Sequence, residues 1–321
     1  MISMTTYSLF LSPSLQSFKM KNLHLEHPED AILTGDLSVL DWFAAEAYVT
    51  AKIDGCPAIV WGTDPATGTF FVGTKSVFNK KKIKINHSHE EIDANHAGEV
   101  ADILHDCFDC LPHIDYICQC DFIGYGGSDT YTPNTITYVF PEIVTQSIIV
   151  APHTIYVAEK DLRDAVCSPM YLTPKDTKEV KFVKPDAWER VDWDWDLHGT
   201  LDFARQMSTM VTFANDKKAA EIKRVINNFI KTDRELDEEA LATAADCDLN
   251  LIRFWHLIRT IKLDMLPLLT NDGPSAYIGK VFIPEGEGYV RSNKYGMYKV
   301  VDRLRFSRAN FKMNKVGGAS S

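Results

Sequence analysis

Residues 200 to 269 carry helical periodicity, while on either side of them turn residues cut the chain into short apolar runs. The clearest amphipathic stretches are KKAAEIKRVINNFI (217–230) and NLIRFWHLIRTIKL (250–263), whose apolar residues recur at three and four. Strand-like text returns from 276 in AYIGKVFIP, GYVRSN and YGMYKVVDRLRF. A β-rich body with a helical block set before its last strands is therefore expected.

Within that body, GDLSVLDWFAA (35–45) reads as a helix opening at Asp36 or Ser38. Residues 47–53 and 56–62 read as two strands joined at Asp54-Gly55, a strong hairpin signal, and TFFVGTKSVF returns as a strand after the TDPATG turn. Residues 89–111 are helical, with Val100, Ile103, Leu104, Cys107, Phe108 and Leu111 on one face. Further strands are expected at 114–123, 135–144 and 153–159, and the final GGASS as a flexible tail.

Composition narrows the function classes. A chain of 321 residues with 45% hydrophobic and 24% charged residues is that of a soluble globular protein. No apolar run approaches the roughly 18 residues of a membrane span. The opening residues lack a charged segment before an apolar one, so no secretory leader is expected. Seven cysteines, an odd number, point to a reducing compartment, and a cytoplasmic location is expected. A net charge of −10 argues against a protein that coats nucleic acid, yet leaves room for local basic grooves. Lys80, Lys81, Lys82 and Lys84 form one cluster; Arg303, Arg305, Arg308, Lys312 and Lys315 form another. Such runs are ordinarily solvated faces or edge guards.

Lys52 is the residue that composition does not explain. It stands between Ala51 and Ile53 in an apolar run, and an unpaired ammonium there must find an anion or do chemistry. An unprotonated lysine is a nucleophile, and Gly55 leaves room for a ligand beside it.

The KIDG of residues 52–55 resembles the nucleotide-binding lysine motif of the covalent nucleotidyltransferases, the ATP-dependent DNA and RNA ligases and mRNA capping enzymes. Later segments resemble that superfamily's other motifs in order: CDFIG (120–124), ITYVFPEIV (136–144), EGYV (287–290) and MYKVV (297–301). The spacing from EGYV to the lysine of MYKVV is most similar to that of bacteriophage RNA ligases. The likeness covers roughly residues 45–145 and 276–305.

The resemblance implies an α+β fold: a ligase-type core of antiparallel sheets around a nucleotide cleft, spanning 1–199 and 270–321, with a helical insertion at 200–269 that either supplies a substrate-holding surface or is an ordinary solvated helix face. Lys52 would attack the α-phosphorus of ATP, Glu287 would hold Mg²⁺ (or Mn²⁺), and Lys299 would offset charge on the α-phosphate. Thr50, Asp54 and Gly55 would line the nucleotide, Asp121 would meet the ribose, Tyr138 or Phe140 would stack on the base, and Lys75 would add a phosphate contact. AMP would pass to a 5′-phosphate end, which a 3′-hydroxyl then seals; Lys80, Lys81, Lys82 and Arg303 would meet the nucleic acid. A phage-encoded monomer acting on RNA or DNA ends in the host cytoplasm is implied.

The sequence departs from the pattern at two places. Pro57 stands where many DNA ligases carry arginine, and Val301 fills the place of a second lysine, for which Arg303 or Lys294 would have to compensate. Two other readings follow: an enzyme that stops at nucleotidylation, capping with GMP or modifying protein, and a nucleotide-binding module without catalysis.

Cys107, Cys110, Cys118 and Cys120, with His105 and His113 nearby, have the residue types of a zinc site, but their apolar setting favours thiols packed as small hydrophobes. His87, His89 and His96 form another possible metal group but read better as a polar loop; AWERVDWDWDLHG could stack bases, but its aspartates would repel phosphates and it reads as a stretch packed on the body.

Overall fold

The computed structural model describes residues 20–21, 25–170, 173–190 and 197–306. In chain order come β1 (Met20–Lys21), α1 (Pro28–Ala31), α2 (Ser38–Ala44), β2 (Tyr48–Ala51), β3 (Ala58–Thr63), β4 (Phe70–Gly73), α3 (His89–Asn95) and α4 (Glu99–Cys110). They are followed by β5 (Ile117–Tyr125), β6 (Thr130–Tyr131), β7 (Thr137–Val139), β8 (Ile148–Val157), β9 (Val166–Pro169), β10 (Val180–Phe182) and β11 (Asp186–Glu189). Next are α5 (Leu197–Ser208), α6 (Asp216–Lys231), α7 (Glu238–Ala245) and α8 (Leu249–Met265). The last strands are β12 (Leu269–Asn271), β13 (Ser275–Ile278), β14 (Val281–Ile283), β15 (Tyr289–Asn293) and β16 (Gly296–Val300). The molecule is α+β, and most of its strand pairs are antiparallel. No described helix is long and apolar enough to cross a membrane.

The chain divides into two compact units. The first is built mainly of Lys52–Asp186 and Gly273–Phe282. Its larger sheet has seven strands in the order β1-β9-β8-β5-β3-β4, with β10 added in parallel to β8; a four-stranded sheet runs β14-β13-β7-β6. Alternation builds the core: Ile59 and Trp61 of β3 and Cys118, Cys120 and Phe122 of β5 pack with Ala101, Leu104 and Cys107 of α4. Trp61 stacks on Phe182 at 6.3 Å. Each such large side chain, fully removed from water, contributes about 1.5–3 kcal/mol.

The second unit comprises Leu25–Ala51, Ala187–Asp272 and the chain from Ile283. Its five-stranded sheet runs β12-β11-β2-β15-β16. The 197–265 segment is helical, and α6 turns Ala219, Ile222, Ile226, Phe229 and Ile230 into a core shared with Leu241 of α7 and Trp255 of α8. Asn215, Asp237 and Asp248 cap the N-termini of α6, α7 and α8 with their side-chain oxygens, which explains where each helix starts.

Not every expectation from the sequence holds here; the helix expected over 89–111 is split into α3 and α4 by residues 96–98. Asp54-Gly55 does not close a hairpin: β2 pairs with β15, whereas β3 pairs with β4 and β5. The reason is a stronger local partner. Cys56 N–H donates to Phe122 O at 2.9 Å and Phe122 N–H to Pro57 O at 3.0 Å, so residues 52–57 run along β5 instead of folding back. The Cys56-Pro57 peptide is cis. Lys75, expected on a strand, lies in a 3₁₀ turn over Lys75–Phe78 whose start Thr74 caps.

Candidate functional site

Because Cys118, Cys120 and Phe122 face the helices, β5 turns Gln119 and Asp121 to its other face. Opposite them β8 carries an extra residue. Gln119 pairs with Thr154 and Cys120 with Pro152, which leaves His153 outside the ladder at a β-bulge. A bulge of this kind re-aims a side chain and accommodates the proline that a regular ladder would reject.

His153 thereby joins a polar row. The Tyr156 hydroxyl donates to Gln119 Oε1 at 2.7 Å, which turns the amide N–H groups towards His153 Nε2 at 3.3 Å. His153 Nδ1 lies 2.7 Å from Thr154 Oγ1, and its Nε2 lies 3.7 Å from Asp121 Oδ1. Gln119 and Tyr156 are buried; His153 and Asp121 keep partial access to solvent.

The Lys52–Gly55 segment sits at the end of this row. A Cβ on Gly55 would fall 2.4 Å from Phe122 O and 3.0 Å from Asp121 Cβ, so only glycine lets the segment lie this close to β5. Asp54 N–H donates to the Tyr138 hydroxyl at 2.7 Å, and Asp54 Oδ2 accepts from Asn134 at 2.8 Å. Burial raises the Asp54 carboxyl above its ordinary range and Asp121 adds to the rise, while Lys52 and the Asn134 hydrogen bond oppose it. A half-buried lysine and a second carboxylate thus both act on Asp54 in this unit.

The other first-unit residues singled out from the sequence lie as follows. Tyr138 and Phe140 are buried, 2% and 8% exposed, and Phe140 meets Tyr131 edge-on. Lys75 is exposed on the turn whose Phe78 packs on Tyr156 at 4.4 Å. Lys80, Lys81 and Lys82 are exposed in the following loop, while Lys84 donates to Asn95 O at 2.5 Å.

In the second unit, Thr50, Val290 and Lys299 are direct cross-strand partners in β2, β15 and β16, so they share one face of the sheet. Glu287 stands half-buried just before β15, in a turn closed by Gly288 N–H to Glu285 O at 2.9 Å. Gly288 has φ +121° and approaches Val300 O and Val301, which explains the glycine of EGYV. Val301 itself is 6% exposed. Arg303 donates to Asp30 at 2.9 Å and to Asn227, and lies 3.6 Å from the buried Glu29. Lys294 is exposed, 4.9 Å from the Tyr295 ring centre. Arg308, Lys312 and Lys315 lie outside the described residues.

Cys107, Cys118 and Cys120 are buried free thiols, pushed up by burial. His113 stacks on Phe70 at 4.1 Å, and His87 is clasped between Asp64 and Glu91. In the AWERVDWDWDLHG stretch, Trp188 is 44% exposed rather than packed away, and residues 191–196 lie outside the described residues. Among the described residues no group of three or more His, Cys, Asp or Glu side chains is arranged to hold a metal ion.

The sequence reading passed over Gln119, Asn134, His153 and Tyr156. The one signal for His153 was Pro152 within an apolar run, which marks a bulge. No curated protein and no solved structure matches the chain. A family model matches residues 22–248 and 238–315, and the chain belongs to that family, described as a family of unknown function (DUF6267).

Proposed function

We propose that the protein is an ATP-dependent polynucleotide ligase, similar to the RNA ligases, that works through a lysyl–AMP intermediate. The observation that carries this reading is the seating of Lys52-Ile53-Asp54-Gly55 against the end of β5, with Asp121 acting on Asp54. Lys52 Nζ attacks the α-phosphorus, a P–N bond forms, and the P–O bond to pyrophosphate breaks. Asp54, a carboxyl raised by burial beside Lys52, is suited to take the proton that the amine must lose. Asp121 and His153 offer an acceptor and a ring nitrogen to ribose hydroxyls.

Mg²⁺ (or Mn²⁺) would be held by a hard oxygen ligand such as Asp121 together with the substrate's own phosphate oxygens, which leaves Asp54 for the proton. When bound, such an ion neutralises phosphate charge. Glu287 and Lys299 keep the roles the resemblance gives them, as metal-associated acid and α-phosphate partner. The acceptors are 5′-phosphate ends of RNA or DNA, approached over the exposed Lys80, Lys81 and Lys82.

One observation favours a second reading, an enzyme that stops at nucleotidylation: Val301 is buried where a second lysine would stand. The first test is intact-mass analysis of protein stripped with pyrophosphate, then given ATP and Mg²⁺, with GTP and Lys52→Ala in parallel. A gain of one AMP that vanishes in the variant is expected, followed by sealing of a nicked or single-stranded 5′-phosphate substrate. A gain with GTP alone moves the assignment to capping, and an AMP adduct without sealing moves it to the second reading. No adduct with either nucleotide overturns both.

A further inference from the structure

Away from the lysine site, α3 and α4 bring together two histidines that are sixteen residues apart in the chain. His89 Nδ1 and His105 Nδ1 lie 2.6 Å apart, with ring planes within 20° of each other. Each ring's far nitrogen faces a carboxylate: His89 Nε2 lies 3.1 Å from Asp109 Oδ1, and His105 Nε2 lies 2.9 Å from Asp93 Oδ1.

The chemistry of this arrangement is directional. A carboxylate only accepts, so both Nε2 atoms carry the hydrogen and both Nδ1 lone pairs face each other. Two lone pairs at that separation repel unless a positive species lies between them. Histidine ligands of metals are held in this way, with the far N–H donated to a carboxylate that fixes the tautomer and raises ligand basicity. The surrounding charge also suits a cation: α3 and α4 together carry seven acidic residues and neither lysine nor arginine.

We propose that His89 and His105 form a binding site for a borderline divalent transition-metal ion of the zinc, copper(II) or nickel class, with Asp93 and Asp109 as the groups that orient the two imidazoles. Imidazole is a ligand these ions share, and water completes the coordination shell. Metal–nitrogen bonds of about 2.0–2.1 Å at a tetrahedral angle place the two nitrogens roughly 3.3 Å apart, so the rings part by less than about 1 Å. Both can move: the side chains are 44% and 26% exposed. This site is independent of the ligase reading and lies wholly within the first unit.

The test is calorimetric titration of the full chain with zinc chloride, after treatment with a chelator. One equivalent is expected to bind in the micromolar range. His89→Ala and His105→Ala should each weaken binding by at least tenfold, and Asp93→Asn or Asp109→Asn by roughly 10-fold or more. Copper(II) paramagnetic resonance should show two nitrogen donors in the wild type and one in either alanine variant. Thermal unfolding of the variants without metal, unchanged from the wild type, shows that the loss is of ligands rather than of fold. Binding that ignores these substitutions, or no binding by the wild type, overturns the proposal.

Discussion

At the scale of single residues, Gly55 and Asp54 carry opposite kinds of constraint. Gly55 is steric: any Cβ meets the Phe122 carbonyl, a backbone atom that cannot step aside. Gly55→Ala should therefore cost about 1–3 kcal/mol, the usual penalty for overpacking, read as a lowered melting temperature. A variant as stable as the wild type would mean that the segment does not lie on β5. Asp54 is electrostatic. Its raised carboxyl means that the folded chain holds this proton more tightly than the unfolded one, so ionising it costs stability as pH rises through the folded value. The sign for Asp54→Asn follows: the variant gains on the wild type as pH climbs above about 4 and loses that advantage below it. Melting temperatures of both proteins across that range check this, and a constant gap would refute it. Lys52 stood out in the sequence because its residue type is improbable in an apolar run, whereas the Gly55 contact depends on a strand 67 residues away and was not legible.

At the scale of elements, local patterns were readable and pairings were not. Helix α6 follows its apolar spacing and its Asn215 cap, both written within about sixteen residues. The hairpin expected at Asp54-Gly55 fails because two residues with good turn propensity cannot outweigh the hydrogen bonds that tie Cys56 and Pro57 to Phe122. The same blindness hid His153, whose position comes from a register shift between β5 and β8. Val301 shows how an element can fix a residue's identity. It follows β16 and packs over Gly288, whose Cβ position is already within 2.9 Å of a Val301 methyl. Val301→Lys should not supply the second lysine that the proposed reading lacks. It should instead lower stability by about 2 kcal/mol, measured by thermal unfolding, because the ammonium enters a packed apolar position. A stable variant with faster adduct turnover would reverse this conclusion.

At the scale of the whole molecule, distant parts of the sequence are knotted by charge where periodicity carries no signal. Glu29 of α1 and Lys262 of α8 are 0% and 1% exposed, and Lys262 Nζ donates to Glu29 Oε1 at 2.5 Å. Arg303 adds its guanidinium to Glu29 and Asp30, and Trp255 donates to Asp30 at 3.1 Å, so Glu29, Asp30 and Arg303, far apart in sequence, close on α8, the last helix of the helical block. Burial lowers the Lys262 pKa and Glu29 pulls it back up, the signature of an ion pair held out of water. Among the described residues Glu29 Oε2 has no hydrogen-bond partner, which leaves Glu29 dependent on the cations around it: Lys262, Arg303 and, when protonated, His27 at 3.9 Å. Lys262→Met keeps the apolar volume and removes one of them. The expected cost is about 3–5 kcal/mol, since a buried carboxylate is left short of compensation. Adding Glu29→Gln to that variant should recover a large part of the loss, because the stranded charge goes with it. Unfolding of the two variants beside the wild type measures the pair. A single-variant loss below about 1 kcal/mol would mean that water reaches Glu29 and that the knot is ornamental to this unit's stability.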